Sequence, residues 1–127
     1  MKRLFLLTSL IESVTGSILL ISPSFLTSVL LGISLDNSAG SLLGRIAGAA
    51  LLSLGIACWL ARKDEKSSSA KGIAVSLLVY NIVVALLLAY AGSSSSHFNL
   101  PIWFVALVHL ILAIWLIKIF IDGNHPK

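Results

Sequence analysis

Four long apolar segments alternate with short polar segments along the chain. Each is close to the roughly 20 apolar residues that an α-helix needs to cross a hydrocarbon core about 30 Å thick. The pattern predicts an all-α polytopic membrane protein, with four transmembrane helices in a bundle and a single membrane domain over residues 1–127. The expected spans are about residues 4–21, 41–61, 72–91 and 100–121.

A fifth, shorter segment follows the first span. Pro23 ends that span, because proline cannot donate the hydrogen bond that continues a helix. Residues 24–33 then place apolar side chains on one face and hydroxyl groups on another, and they are too few to cross a bilayer. We therefore expect a short interfacial helix at about 24–33. Asp36 or Ser38 is expected to cap the second span, and Asn99 the fourth.

Composition supports the bilayer as solvent. The 127 residues are 57% hydrophobic and 11% charged, with a mean hydropathy of +1.02, whereas soluble domains carry about 25% charged residues. The single cysteine, Cys58, excludes an intrachain disulfide and a cysteine-rich metal site. Only one histidine, His109, lies within a span, so we expect no metal and no cofactor.

The basic residues are distributed unevenly across the membrane. Eight of the nine fall on the side of the two termini, and only Arg45 lies toward the other side. The positive-inside rule therefore predicts a multi-pass inner-membrane protein with cytoplasmic N and C termini. Because these residues flank spans and form no continuous face, a nucleic-acid partner is not expected. The eight are Lys2, Arg3, Arg62, Lys63, Lys66, Lys71, Lys118 and Lys127.

Each span contains one strongly polar residue: Glu12, Arg45, Asn81 and His109 in order. A charge inside lipid costs about 2.5–3.5 kcal/mol on insertion scales, so such residues usually face the protein interior. At about 1.5 Å rise per residue, Glu12, Asn81 and His109 lie roughly 13–15 Å from the outer boundary, and Arg45 about 6 Å. With Tyr80, these residues are the candidates for an intramembrane site that binds a ligand or a proton.

Two interpretations of this polar cluster stay open. Glu12 and His109 could exchange protons or bind a cationic or polar ligand. Alternatively, one polar side chain per helix forms interhelical hydrogen bonds, worth about 0.6 kcal/mol each on average. Glu12 could pair with Arg45, or it could contact His109 or Asn81, which lie at its own depth. The chain contains no metalloprotease or nucleotide-binding motif, so we assign no catalytic residue and do not expect an enzyme.

Gly40, Gly44 and Gly48 repeat every four residues in the second span. Such small-residue stripes let membrane helices approach closely. The stripe would pack the second span against the first within one chain, or it would form the seam of a homo-oligomer.

Two parts of the chain resemble small bacterial four-helix membrane proteins. One is Gly44–Ala57, which reads GRIAGAALLSLGIA, and the other is Tyr80-Asn81 with the alanine- and leucine-rich helix that ends in Ala89-Tyr90-Ala91. The layout is similar to the DoxX-like proteins. This resemblance covers most of the chain and implies a four-helix fold, without catalytic residues.

The stretch Glu12-Ser13-Val14-Thr15-Gly16-Ser17 resembles the first span of the small multidrug resistance transporters. Those proteins have four spans, a similar length and one essential glutamate in the first span. The resemblance implies that Glu12 is the proton and cation site of a proton-coupled exporter. The chain departs from that family, because it has no counterpart of the aromatic third-span motif and because Arg45 and His109 are foreign to it.

Three functions follow from these patterns. The first, which we expect, is non-enzymatic binding or passage of a small hydrophobic or cationic ligand, or an ion, at the polar cluster. The second is a structural or assembly subunit of a larger membrane complex, and the third is the exporter. A cavity lined by Glu12 and His109 would favour the first. An exposed stripe of Gly40, Gly44 and Gly48 would favour the second.

Overall fold

The computed structural model describes residues 1–32, 34–35, 37–94 and 100–123, and this part of the chain is helical, without a β-strand. Four of its five helices are long and apolar enough to cross a membrane, whereas α2 has only nine residues. The predicted all-α fold, with four long apolar helices and a short helix after the first, is confirmed. The helices are α1 (Lys2–Ile21), α2 (Pro23–Leu31), α3 (Ser38–Ala61), α4 (Ser68–Ser94) and α5 (Leu100–Gly123).

The chain forms two compact units. The first unit, Met1–Ala70, contains α1, α2, α3 and the first residues of α4. The second unit, Lys71–Lys127, contains the rest of α4 and α5. That the whole chain makes a single membrane domain stays a prediction.

In the first unit, α1 and α3 pack closely and run in opposite directions. Their backbones touch at Gly16 and Gly48, where a Cβ added to Gly48 would lie 2.8 Å from the Gly16 carbonyl oxygen. Farther along the same pair, a Cβ at Gly55 would lie 2.9 Å from the backbone nitrogen of Ser13. The two backbones can approach this closely because Gly16, Gly48 and Gly55 have no side chains, as expected for small-residue packing in membranes.

α2 is a separate helix that packs on both α1 and α3. The chain leaves helical geometry at Ser22, and Pro23 takes the first turn of α2, where its missing N–H costs nothing. Gly32 ends α2 with a left-handed backbone, at φ 69°, which glycine adopts without steric cost. The helix thus begins one residue before the predicted start, and Ile33 lies outside the described residues.

The cap of α3 differs from the prediction. The Asn37 side-chain oxygen accepts a hydrogen bond from the Gly40 backbone N–H at 2.6 Å, so Asn37 is the N-cap and Ser38 is the first helical residue. Ser38 as a cap was therefore wrong, because the neighbouring amide reaches the third N–H of the helix. Asp36, the other candidate, lies outside the described residues.

Helices extend beyond the apolar segments that predicted them. Ser67 accepts a hydrogen bond from the Ala70 backbone N–H at 3.1 Å, so α4 starts four residues before the expected position 72. α3 likewise starts at Ser38 and not at 41, and α5 ends at Gly123 and not at 121. The helices therefore continue into the polar residues that flank the apolar segments. The proposed cap of α5, Asn99, lies outside the described residues.

The second unit has buried positions that follow a helical period. In α5 they recur every three or four residues and include the polar His109, while most positions between them expose large apolar side chains. Such an apolar exterior suits contact with lipid. In α4 the buried positions within this unit include Ala74, Leu77 and Asn81. In α5 they are Ile102, Ala106, His109, Leu112, Ala113 and Leu116.

Candidate functional site

A hydrogen bond between two buried side chains joins α4 to α5. Nδ1 of His109 lies 2.9 Å from the side-chain oxygen of Asn81. The Asn81 amide nitrogen donates to the Leu77 carbonyl oxygen at 2.8 Å, one turn earlier on α4. Because the nitrogen bonds to the backbone, the amide is held with its oxygen toward the imidazole. Asn81 is fully buried, at 0% exposure, so this orientation is fixed inside the protein.

This geometry selects one tautomer of His109. An amide oxygen only accepts hydrogen bonds, so Nδ1 must be the nitrogen that bears the proton. In the neutral ring Nε2 then has a lone pair and is an acceptor. Within the described chain, Nδ1···Oδ1 is the one hydrogen bond formed by the imidazole. Nε2 can therefore accept a proton or a hydrogen bond from a ligand.

Tyr80 connects this pair to an open groove on α4. Its ring meets the His109 ring edge to face, with centroids 5.6 Å apart and planes at 79°. Tyr80 also lines a groove of about 460 Å³ on the same helix. The surface of the groove is almost entirely apolar. Its lining residues are Val75, Ser76, Val79, Tyr80, Val83 and Val84.

Glu12 belongs to the first unit and is 2% exposed. Thr8 lies one turn earlier on the same face of α1 and is also buried; its hydroxyl has no hydrogen-bond partner among the described residues. Cys58 of α3 is buried within electrostatic range of the Glu12 carboxyl. Neither Thr8 nor Cys58 was among the site residues predicted from the sequence. The i, i+4 spacing of Thr8 and Glu12 could have indicated that these two share a helix face.

Arg45 occupies a different part of the first unit. Its Nη1 donates a hydrogen bond to the Leu20 carbonyl oxygen, near the C-terminal end of α1. Leu20 lies eight residues after Glu12, which is about 12 Å along the helix axis. This distance is too long for an ion pair, so Arg45 is not the partner of Glu12. Arg45 instead satisfies a carbonyl at a helix end, where cations are also favoured by the helix dipole.

Of the predicted site residues, the structure brings Asn81, Tyr80 and His109 together in the second unit. Glu12 lies in the first unit, among Thr8 and Cys58. That Glu12 shares one cluster with His109 stays a prediction from their similar depth. What the structure describes is a hydrogen-bonded pair beside an apolar groove in the second unit, and a buried carboxyl in the first unit.

The glycine stripe faces its own chain. A Cβ at Gly44 would lie 2.6 Å from Pro23 Cβ, and one at Gly48 would lie 2.7 Å from the backbone nitrogen of Leu20. At Gly40 the nearest atoms belong to Asn37 and Leu35, at 3.1 and 3.3 Å. The three glycines thus face α1, α2 and the segment that precedes α3.

Comparison of the chain with protein-family models, with curated proteins and with solved structures gives no match. The resemblances to DoxX-like proteins and to small multidrug resistance transporters therefore stay expectations. The length and apolar composition of four described helices indicate the class of multi-pass helical membrane proteins.

Proposed function

We propose that this protein is a non-enzymatic integral membrane protein that binds a small hydrophobic ligand in the groove on α4. The observation that supports the proposal best is the position of Tyr80. This residue lines the groove, and its ring contacts His109, whose orientation is fixed by Asn81. A ligand in the groove would therefore lie beside the one hydrogen-bonded polar pair of the second unit's described residues.

The chemistry of the groove favours an apolar ligand over a cation. Valine provides four of the six described residues that line the groove, and none of these six carries a carboxylate. A cation would lose its hydration there without gaining an oxygen ligand of opposite charge. An apolar chain gains contact along the valines, and a hydroxyl group on it would find an acceptor at His109 Nε2. Passage of the ligand across the membrane is a further step that binding alone does not require.

We place the protein in the inner membrane with both termini in the cytoplasm. The unequal distribution of basic residues supports this orientation.

A photoreactive ligand tests the groove. The full-length protein in nanodiscs would be labelled with a diazirine-bearing fatty acid, and the labelled peptides would be identified by mass spectrometry. Labelling is expected on α4 between residues 75 and 84 and should fall at least tenfold in Val79→Trp, which fills the groove. Leu86→Trp is the matched control, because Leu86 is an exposed apolar residue of α4 that lies outside the groove. Equal labelling of both variants would refute the proposal.

The role of His109 needs a pair of conservative variants. His109→Asn places an amide near the position of Nδ1 and keeps a partner for Asn81. His109→Gln places an amide near the position of Nε2. If Nε2 contacts the ligand, the Gln variant should bind more tightly than the Asn variant. The reverse order would show that His109 only fixes the packing of α4 on α5.

The burial of Glu12 supports the exporter as a second candidate. A carboxyl at this depth is expected to be neutral or paired, because an isolated charge there is too costly. Glu12→Gln keeps the shape and most hydrogen bonds of the side chain. An exporter would keep its stability in this variant and lose pH-dependent flux of a cationic substrate. If Glu12 has a purely structural role, Glu12→Gln should lower the thermal stability of the protein in detergent and leave ligand binding on α4 unchanged.

The assembly-subunit function receives less support. An exposed stripe of Gly40, Gly44 and Gly48 would have favoured this function. These residues instead face other residues of their own chain.

A further inference from the structure

The start of α1 is held against the loop between α3 and α4. The Glu65 carboxylate accepts a hydrogen bond from the Lys2 backbone N–H and lies 3.2 Å from the Met1 amine. Glu65 follows the end of α3, and α1 runs antiparallel to α3, so the contact joins two helix ends at the same membrane boundary. All of these residues belong to the first unit. We call the contact the Glu65 clamp.

The clamp gathers positive charge at this boundary. Five basic side chains and two acidic ones occupy the start of α1 and the α3–α4 loop, and one of the acidic ones, Glu65, already bonds to the chain start. Asp64 is then the one acidic side chain here that opposes the basic ones. We name the five residues the basic surface: Lys2, Arg3, Arg62, Lys63 and Lys66.

Trp59 marks the depth of the basic surface. The Arg62 guanidinium stacks over the Trp59 ring, 3.2 Å from its centroid, and donates to the Trp59 carbonyl oxygen at 2.5 Å. Tryptophan prefers the headgroup level of a bilayer, where its ring is apolar and its N–H stays wet. Arg62 is therefore held at the level where lipid phosphates lie, and its remaining N–H groups can donate.

We propose that the basic surface binds the phosphate groups of anionic phospholipids in the leaflet at this end of α1 and α3. Clusters of four to eight basic residues directly beside a transmembrane helix are typical of such binding. Guanidinium and ammonium groups form charge-assisted hydrogen bonds to phosphate oxygens. The partner is a lipid and not a free anion, because the surface is attached to two apolar helices that fix it at the headgroup level.

Glu65 acts here as a positioning residue. The hydrogen bond from the chain-start amine, and then the one from the Lys2 backbone N–H, lower the pKa of its carboxyl. Glu65 is therefore ionised at neutral pH and keeps Lys2 and Arg3 beside the loop. Removing the Glu65 charge raises the net positive charge, which should strengthen binding of anionic lipid. It also releases Lys2 and Arg3 from the loop, which should weaken that binding, so the two effects can be separated.

Tryptophan quenching by brominated lipids provides the measurement. Trp103→Phe and Trp115→Phe leave Trp59 as the single tryptophan, next to the basic surface and 44% exposed. The protein would be reconstituted in phosphatidylcholine vesicles that contain brominated phosphatidylglycerol or brominated phosphatidylcholine. We expect brominated phosphatidylglycerol to quench Trp59 more strongly than brominated phosphatidylcholine does. The difference should shrink at 0.5 M salt, because at this salt concentration exposed charges are screened over a few ångströms. Equal quenching by both lipids would overturn the proposal.

Glu65→Gln and Asp64→Asn form a matched pair. They remove one negative charge each, at adjacent positions, and only the first breaks the clamp. We expect Glu65→Gln to lower the preference for phosphatidylglycerol and Asp64→Asn to raise it. If both variants raise the preference equally, net charge alone governs binding and the clamped surface has no role.

Lys63→Gln with Lys66→Gln keeps the proposal testable if the clamp variant fails to fold. Each charge removed should weaken the preference about fivefold at low salt, which corresponds to about 1 kcal/mol per basic residue near an anionic membrane. An unchanged preference in this double variant would overturn the proposal. The proposal would also be overturned if millimolar inorganic phosphate, added at constant ionic strength, abolished the preference for phosphatidylglycerol. The ligand would then be a free anion. The groove on α4 plays no part in this assay.

Discussion

Substitution of Gly48 by alanine tests whether the contact between α1 and α3 depends on a missing side chain. The new Cβ would lie 2.7 Å from the Leu20 nitrogen and 2.8 Å from the Gly16 carbonyl oxygen. Both are backbone atoms of a helix and cannot rotate away, as a side chain would. The helices must therefore separate by about 0.7 Å to restore ordinary contact distances.

The magnitude follows from two opposing effects. Overpacking at such a contact costs about 1–3 kcal/mol. Alanine is the better helix former, which returns about 1 kcal/mol. We expect Gly48→Ala to lower the free energy of unfolding by about 0–2 kcal/mol, and by about 1–3 kcal/mol relative to an alanine substitution that makes no new contact. Adding Gly16→Ala should cost less than the sum of the two single changes, because the first methyl group has already separated the helices.

Reversible unfolding of the protein in mixed micelles, followed by circular dichroism as sodium dodecyl sulfate increases, provides the measurement. Gly72→Ala is the control, since no atom lies within 4 Å of a Cβ at that position and the change should be neutral or stabilising. The difference between the two variants isolates the contact from the helix preference of alanine. If Gly48→Ala is as stable as Gly72→Ala, close backbone packing does not hold α1 to α3.

Three further outcomes are expected. A double-mutant cycle of Asn81→Ala and His109→Ala in detergent should give a coupling of about 0.6–1.7 kcal/mol, and additive effects would mean that their hydrogen bond adds no stability. Because the pKa of Glu65 is lowered, its contribution should be complete at neutral pH and disappear only as the pH falls through the lowered value; thermal melts of wild type and Glu65→Gln should therefore converge in acid. Finally, an impermeant thiol reagent added outside cells should label Ser93→Cys and spare Ser67→Cys; the opposite pattern would invert the topology.

Hydropathy was sufficient to predict the four long helices but not where α1, α3 and α4 start. Asp36, Asn37 and Ser38 are three consecutive residues that can each cap a helix, and the choice of Asn37 depends on which side chain reaches the Gly40 N–H. Ser67 likewise caps α4, whose first residue lies four residues before the expected start of the apolar segment. Hydropathy identifies only the apolar residues of a helix. The backbone hydrogen bonds of the helix continue beyond them into polar residues.

The candidate site was predicted only in part, for a similar reason. Equal depth was enough to place Asn81 and His109 in one candidate cluster, since depth depends on position along a helix, but their contact with each other was not predicted. Which residue Arg45 contacts depends on the rotation of α3 about its axis and on where α1 ends, and neither is visible in a pattern of polar and apolar letters. The Leu20 carbonyl has no signature in the sequence, because every residue has a carbonyl.

The contact between Arg45 and Leu20 has a consequence for how the protein is made. α1 ends at Ile21, just before Ser22 and Pro23, which leaves carbonyls at its end without the N–H groups of a following turn. The donor that serves the Leu20 carbonyl is 25 residues downstream. While the chain is being synthesised, α1 can enter the translocon and the bilayer before this donor has left the ribosome. The Leu20 carbonyl therefore receives its donor only when α3 packs beside α1.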